Sequence, residues 1–128
     1  MARWRAVLGL VTGAFLALSG VAHTLLGGKA MREEMAKAAV PADLAAGLNA
    51  GWVWGGVAMF AFAAIVVGGF LQGLKGRAIP LAPIRWISAA YIVFGVWAIA
   101  TTSELFFLIF LIPGVLLAVA SAGTHDRT

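Results

Sequence analysis

The sequence predicts an all-α integral membrane protein: a four-transmembrane-helix antiparallel bundle with a short amphipathic surface helix between spans 1 and 2. Three observations carry that expectation. Of 128 residues, 62% are hydrophobic and only 11% charged, whereas a soluble domain carries about a quarter charged residues. The apolar residues gather into four runs, each close to the length a bilayer crossing needs. The basic residues fall between those runs rather than along a helix face, as the positive-inside rule requires and a nucleic-acid surface does not.

Span 1 is expected over about residues 4–26. Arg3, Arg5 and the small residues Gly20-Val21-Ala22 also fit a signal peptide. The apolar run continues through Leu26, however, so a retained helix is expected. Gly13, Gly20 and Gly27 recur every seven residues and offer a close-packing stripe. His23 and Thr24, three and four residues after Gly20, share that side and should face the bundle. Gly27-Gly28 is read as the helix end.

A surface helix follows over about 29–40, with Lys29, Glu33 and Lys37 spaced for ion pairing and Met31 and Met35 on the opposite side. Beyond Pro41 and Asp43, span 2 is expected over 47–71. Gly47, Gly51 and Gly55 form two overlapping GxxxG units there. Trp52 and Trp54 fit an interfacial aromatic belt, and Trp54, on the glycine side, alternatively packs inside. Residues 72–83 read as a cytoplasmic loop. Span 3 covers 84–100, with Ser88, Tyr91, Gly95, Ala98 and Thr102 stepping down an inward side. A tight turn at Thr101-Thr102-Ser103 makes the last two spans an antiparallel hairpin, with Ser103 the expected N-cap. Span 4 covers 104–120, contains Pro113, and carries Glu104 and Gly114 toward the interior.

Counting basic residues, Arg3, Arg5, Lys75, Arg77, Arg85 and Arg127 lie on one side and Lys29, Arg32 and Lys37 on the other. Both termini are therefore expected in the cytoplasm of a bacterial-type inner membrane. This topology gathers His23, Asn49, Trp54, Tyr91, Thr102 and Glu104 toward the external leaflet as candidate ligand-binding residues. Ionisable groups in spans usually face a partner, which makes His23 and Glu104 an expected pair. That pair reads either as a hydrogen bond fixing helix register or as a proton-exchanging site.

No zinc, nucleophile-elbow, phosphate-loop or paired-carboxylate motif is present, and no cofactor, metal or nucleic acid is expected. A soft copper site at His23, Met31 and Met35 lacks a third strong ligand. The chain shares its size with the small multidrug resistance transporters but has no glutamate in the first span. Gly20-Val21-Ala22-His23 resembles, over about one span, the glycine-then-basic ending of the first span in DoxX-like membrane proteins; no activity transfers on one span.

The leading expectation is a non-enzymatic accessory or self-associating protein acting through helix packing, motivated by the glycines of span 2. One alternative is a binder or carrier of a small lipophilic molecule in the external half of the bundle. A further one is a membrane enzyme with His23 and Glu104 as acid and base. Expected partners are the lipid bilayer, another copy or a larger membrane complex, and in the second case that small molecule.

Overall fold

A computed structural model of the chain describes residues 1–122; Arg127, counted above for topology, lies outside them. Among the described residues every regular element is helical and there is no strand: α1 (Arg3–Ala22), a π-helical turn (His23–Gly27), α2 (Gly28–Lys37), α3 (Ala42–Leu74), α4 (Leu81–Thr102), a 3-10 turn (Leu105–Phe107) and α5 (Leu108–Ser121). Three helical segments are long and apolar enough to cross a membrane: Arg3–Lys37, Ala42–Leu74 and Leu81–Thr102. The fourth apolar segment, Leu105–Ser121, is shorter.

The first helix does not end at Gly27-Gly28. Both glycines keep right-handed helical dihedrals, and α2 continues the path of α1 through the π turn. Two glycines permit a helix end but do not impose one. Here they serve close approach: a Cβ on Gly27 would sit 2.7 Å from the Trp52 ring. The helix ends after Lys37, where Ala39 turns with φ 49° ahead of Pro41. On the exposed side of α2, Lys29 pairs with Glu33 at 3.8 Å, while Lys37 pairs with Glu34 at 2.6 Å rather than with Glu33. At about 1.5 Å per residue, the first and second of the three long segments, of 35 and 33 residues, each reach roughly 50 Å, longer than a bilayer core. Where α2 and the start of α3 meet, Met31, Met35, Val40 and Asn49 are half-buried.

α1 and α3 pack antiparallel, as their contacts run in opposite directions along the two helices. Gly9 meets Phe70, Gly13 meets Val66 and Val67, Gly20 meets Met59 and Phe60, and Gly27 meets Trp52. On α3 the buried stripe is Gly56, Met59, Ala63, Val66 and Phe70. Gly47 and Gly51 are not part of it, since a Cβ on either would meet nothing within 4 Å.

α4 and α5 form the second antiparallel pair. Their backbones approach closely where Gly95 faces Leu111 and Gly114 faces Ile92 and Tyr91. Buried Ser88 donates from Oγ to the Gly114 carbonyl at 2.8 Å. The turn between these helices differs from expectation. Ser103 ends α4 in the left-handed region (φ 59°) instead of capping the next helix, and Glu104 precedes the 3-10 turn with no side-chain cap bond.

One end of the bundle is filled and tied. Leu16, Val66, Phe70, Leu81, Ile84 and Leu117 are fully buried together. Arg85 donates to the Ser121 carbonyl at 3.1 Å, and Arg5 donates to that of Ala122. Cations at the carbonyl end of a helix suit its dipole and its unpaired acceptors. Toward the other end large aromatic side chains replace the close-packed aliphatics, and a cavity lies between the two helix pairs.

Candidate functional site

The π turn is the local feature from which the site is built. Gly28 N–H reaches back five residues to the His23 carbonyl, which widens the turn. Such single turns are frequent at functional sites. The widened turn lets His23 and Thr24 both face α3, where Gly55 and Gly56 leave room for them: a Cβ on Gly55 would lie 3.2 Å from His23 Nε2, and one on Gly56 would collide with Thr24 Oγ1.

His23 and Trp52 bind each other twice. Trp52 Nε1 donates to the His23 carbonyl at 2.8 Å, and His23 Nε2 lies 3.1 Å from the Trp52 carbonyl. A carbonyl only accepts, so Nε2 carries the proton, and in the neutral ring Nδ1 keeps the lone pair. The two rings stack at 4.3 Å with an interplanar angle of 5°.

This pair forms part of the wall of a cavity of about 540 Å³. Ser19, Met59 and Tyr91 line it further, with Phe94, Phe106, Phe107 and Phe110 from the α4–α5 pair. The aromatic wall is cross-braced: Phe94 meets Phe110 edge-on at 4.9 Å and Phe107 at 6.2 Å, and Tyr91 lies 5.9 Å from Phe110. The lining includes no Asp, Glu, Lys or Arg. Tyr91 is 6% exposed, and its hydroxyl has no hydrogen-bond partner among the described residues.

Of the residues singled out by sequence, His23 and Tyr91 meet at this cavity. The others stand elsewhere. Trp54 points outward and is 71% exposed, because Trp52 takes the inward position two residues earlier. Asn49 lies nearly a turn before Trp52, its Oδ1 buried without a partner among the described residues, and is not in the lining. Thr102 is exposed and donates to the Ala98 carbonyl at 2.7 Å. Glu104 is exposed, and its backbone N–H donates to Thr102 Oγ1 at 3.2 Å.

The expected His23–Glu104 pairing does not occur. The left-handed turn at Ser103 carries Glu104 outward, while the His23 ring lies flat on Trp52. Among the described residues, no three His, Cys, Asp or Glu side chains converge as a metal site.

Sequence reasoning underweighted Trp52 and did not mark Met59 or the phenylalanines as lining. A signal for Trp52 was present. Trp52, Gly56, Met59, Ala63, Val66 and Phe70 step by four and three, as an inward helix stripe does. Comparisons with protein-family models, curated proteins and solved structures give no match.

Proposed function

We propose that this protein binds or carries a small, neutral, lipophilic molecule inside the membrane. The observation that carries this reading is the cavity of about 540 Å³ between the two helix pairs, within the size range of small-molecule sites. Its lining is apolar and aromatic with a few polar groups, the composition typical of such sites. The absence of lining charge makes a neutral ligand the fitting class, since a buried ion without a counter-charge is strongly disfavoured.

The test uses an apolar compound of suitable size, β-ethylnaphthalene, with the protein in lipid nanodiscs. Saturable binding should raise the thermal unfolding midpoint by several degrees, because a ligand that binds only the folded state stabilises it. Ala22 is a small residue in the lining. Ala22→Phe should fill that space and remove the shift while keeping the helical circular dichroism. An unchanged midpoint in the wild type, or an equal shift in both proteins, would count against the reading.

A second reading, helix-mediated association with another copy or an accessory role in a larger complex, has its own support. Gly47 and Gly51 leave open space on the outer face of α3. Native mass spectrometry from lipid bears on it, and a strict monomer with no co-purifying protein speaks against it. For either reading we infer a bacterial-type inner membrane and cytoplasmic termini, supported by the six-to-three distribution of basic residues. Arg5 and Arg85 both bind the C-terminal end of α5, which agrees with these residues sharing one side.

A further inference from the structure

We infer that the ligand of this cavity is a planar aromatic molecule bearing a carbonyl, held by a hydrogen bond from Tyr91. This rests on the lipophilic-ligand reading above and specifies its chemistry.

The argument starts from Tyr91 Oη. Buried polar groups almost always have a hydrogen-bond partner, and one that does not needs an explanation. Tyr91 is 6% exposed, lines the cavity wall, and its hydroxyl meets no acceptor among the described residues. Neighbouring rings account for this: Phe62 and Phe110 stand 6.4 and 5.9 Å away, and neither offers an oxygen. The hydroxyl thus remains available to donate to a ligand acceptor. With no charged group in the lining, a neutral acceptor fits, and a ketone or quinone-type carbonyl has the required lone pairs.

The remaining walls favour a flat body. Trp52, Phe94, Phe107 and Phe110 present rings to the cavity from both helix pairs. Aromatic rings pack in offset or edge-on arrangements that a planar ligand can extend. Trp52 is itself held flat against His23 and hydrogen-bonded to its carbonyl, so this face is positioned in advance. Preorganised walls reduce the ordering cost of binding.

The experiment compares β-acetylnaphthalene with β-ethylnaphthalene, which match in shape and differ in the carbonyl. Saturable binding is measured in nanodiscs, with empty nanodiscs correcting for partition into lipid. In the wild type the ketone should bind about five-fold tighter, the effect of one neutral hydrogen bond to an otherwise unpaired donor. Tyr91→Phe should bring the two affinities together. Infrared spectroscopy of the carbonyl-labelled ketone on the wild-type protein supplies a second readout that needs no variant: its stretching band should move to lower frequency on binding. Equal affinities in the wild type, or an unmoved band, would overturn the carbonyl inference while leaving the lipophilic site intact. Binding of neither compound would overturn both.

Discussion

Gly95→Ala and Gly114→Ala will each lower the stability of the folded protein by about 2–3 kcal/mol, the upper part of the range for overpacking. The methyl added at Gly95 would lie 2.8 Å from the Leu111 backbone nitrogen, and that at Gly114 would lie 2.9 Å from the Ile92 backbone nitrogen. Backbone atoms cannot rotate away as a side-chain tip can, so α4 and α5 must move apart. Separation would also stretch the bond from Ser88 to the Gly114 carbonyl, now 2.8 Å. Gly47→Ala and Gly51→Ala provide the comparison, because nothing lies within 4 Å of either new methyl. These two should leave stability unchanged or raise it by up to about 1 kcal/mol through better helix propensity. Detergent-based unfolding followed by circular dichroism measures all four. If Gly95→Ala proves as harmless as Gly51→Ala, the α4–α5 contact is not as close as described.

Trp52→Ala should cost about 3 kcal/mol, the lower end for large aromatic truncations because the ring is only partly buried. It removes the ring that covers Gly27 and stacks on His23, together with the donor to the His23 carbonyl. Trp52→Phe keeps an aromatic ring but loses that donor and should cost about 1 kcal/mol. In a double-mutant cycle with His23→Ala, the two losses should be non-additive by about 1 kcal/mol or more, as expected for residues in direct contact. Strict additivity would show that the two rings do not act as a pair. Glu104→Gln should leave the unfolding midpoint where it is, since among the described residues the Glu104 side chain makes no hydrogen bond or ion pair.

The apolar helical runs were legible because membrane composition and helix period are local properties. Of the seven-residue glycine stripe on the first helix, Gly13 and Gly20 are buried, and Gly27 is half-buried against Trp52. Ser88, Tyr91, Gly95 and Ala98 on α4 are buried, while Thr102 at the far end is exposed.

The features that define the site were harder to read. α3 is apolar on nearly every side and carries small residues on two faces, so the GxxxG spacing drew attention to Gly47 and Gly51. The inward stripe instead begins at Trp52 and follows Gly56 and Met59. The two glycines at 27–28 have two uses in proteins, ending helices and admitting a close neighbour. Only the position of the Trp52 ring decides between them. The His23–Glu104 expectation relied on both residues lying near the same membrane face. One left-handed residue, Ser103, was enough to turn Glu104 away. The cavity itself depends on how two helix pairs meet, a long-range property that periodicity within each helix does not determine.

The most direct test of the lipophilic site is photolabelling in nanodiscs with an apolar aryl diazirine, with labelled residues mapped by mass spectrometry and β-acetylnaphthalene as competitor. The account predicts a competitor-sensitive set of adducts at cavity residues such as Met59, Phe94, Phe107 and Phe110, alongside a competitor-insensitive background on outward residues such as Val11, Leu18 and Trp86. Labelling confined to the outward residues, or unaffected everywhere by the competitor, would contradict it.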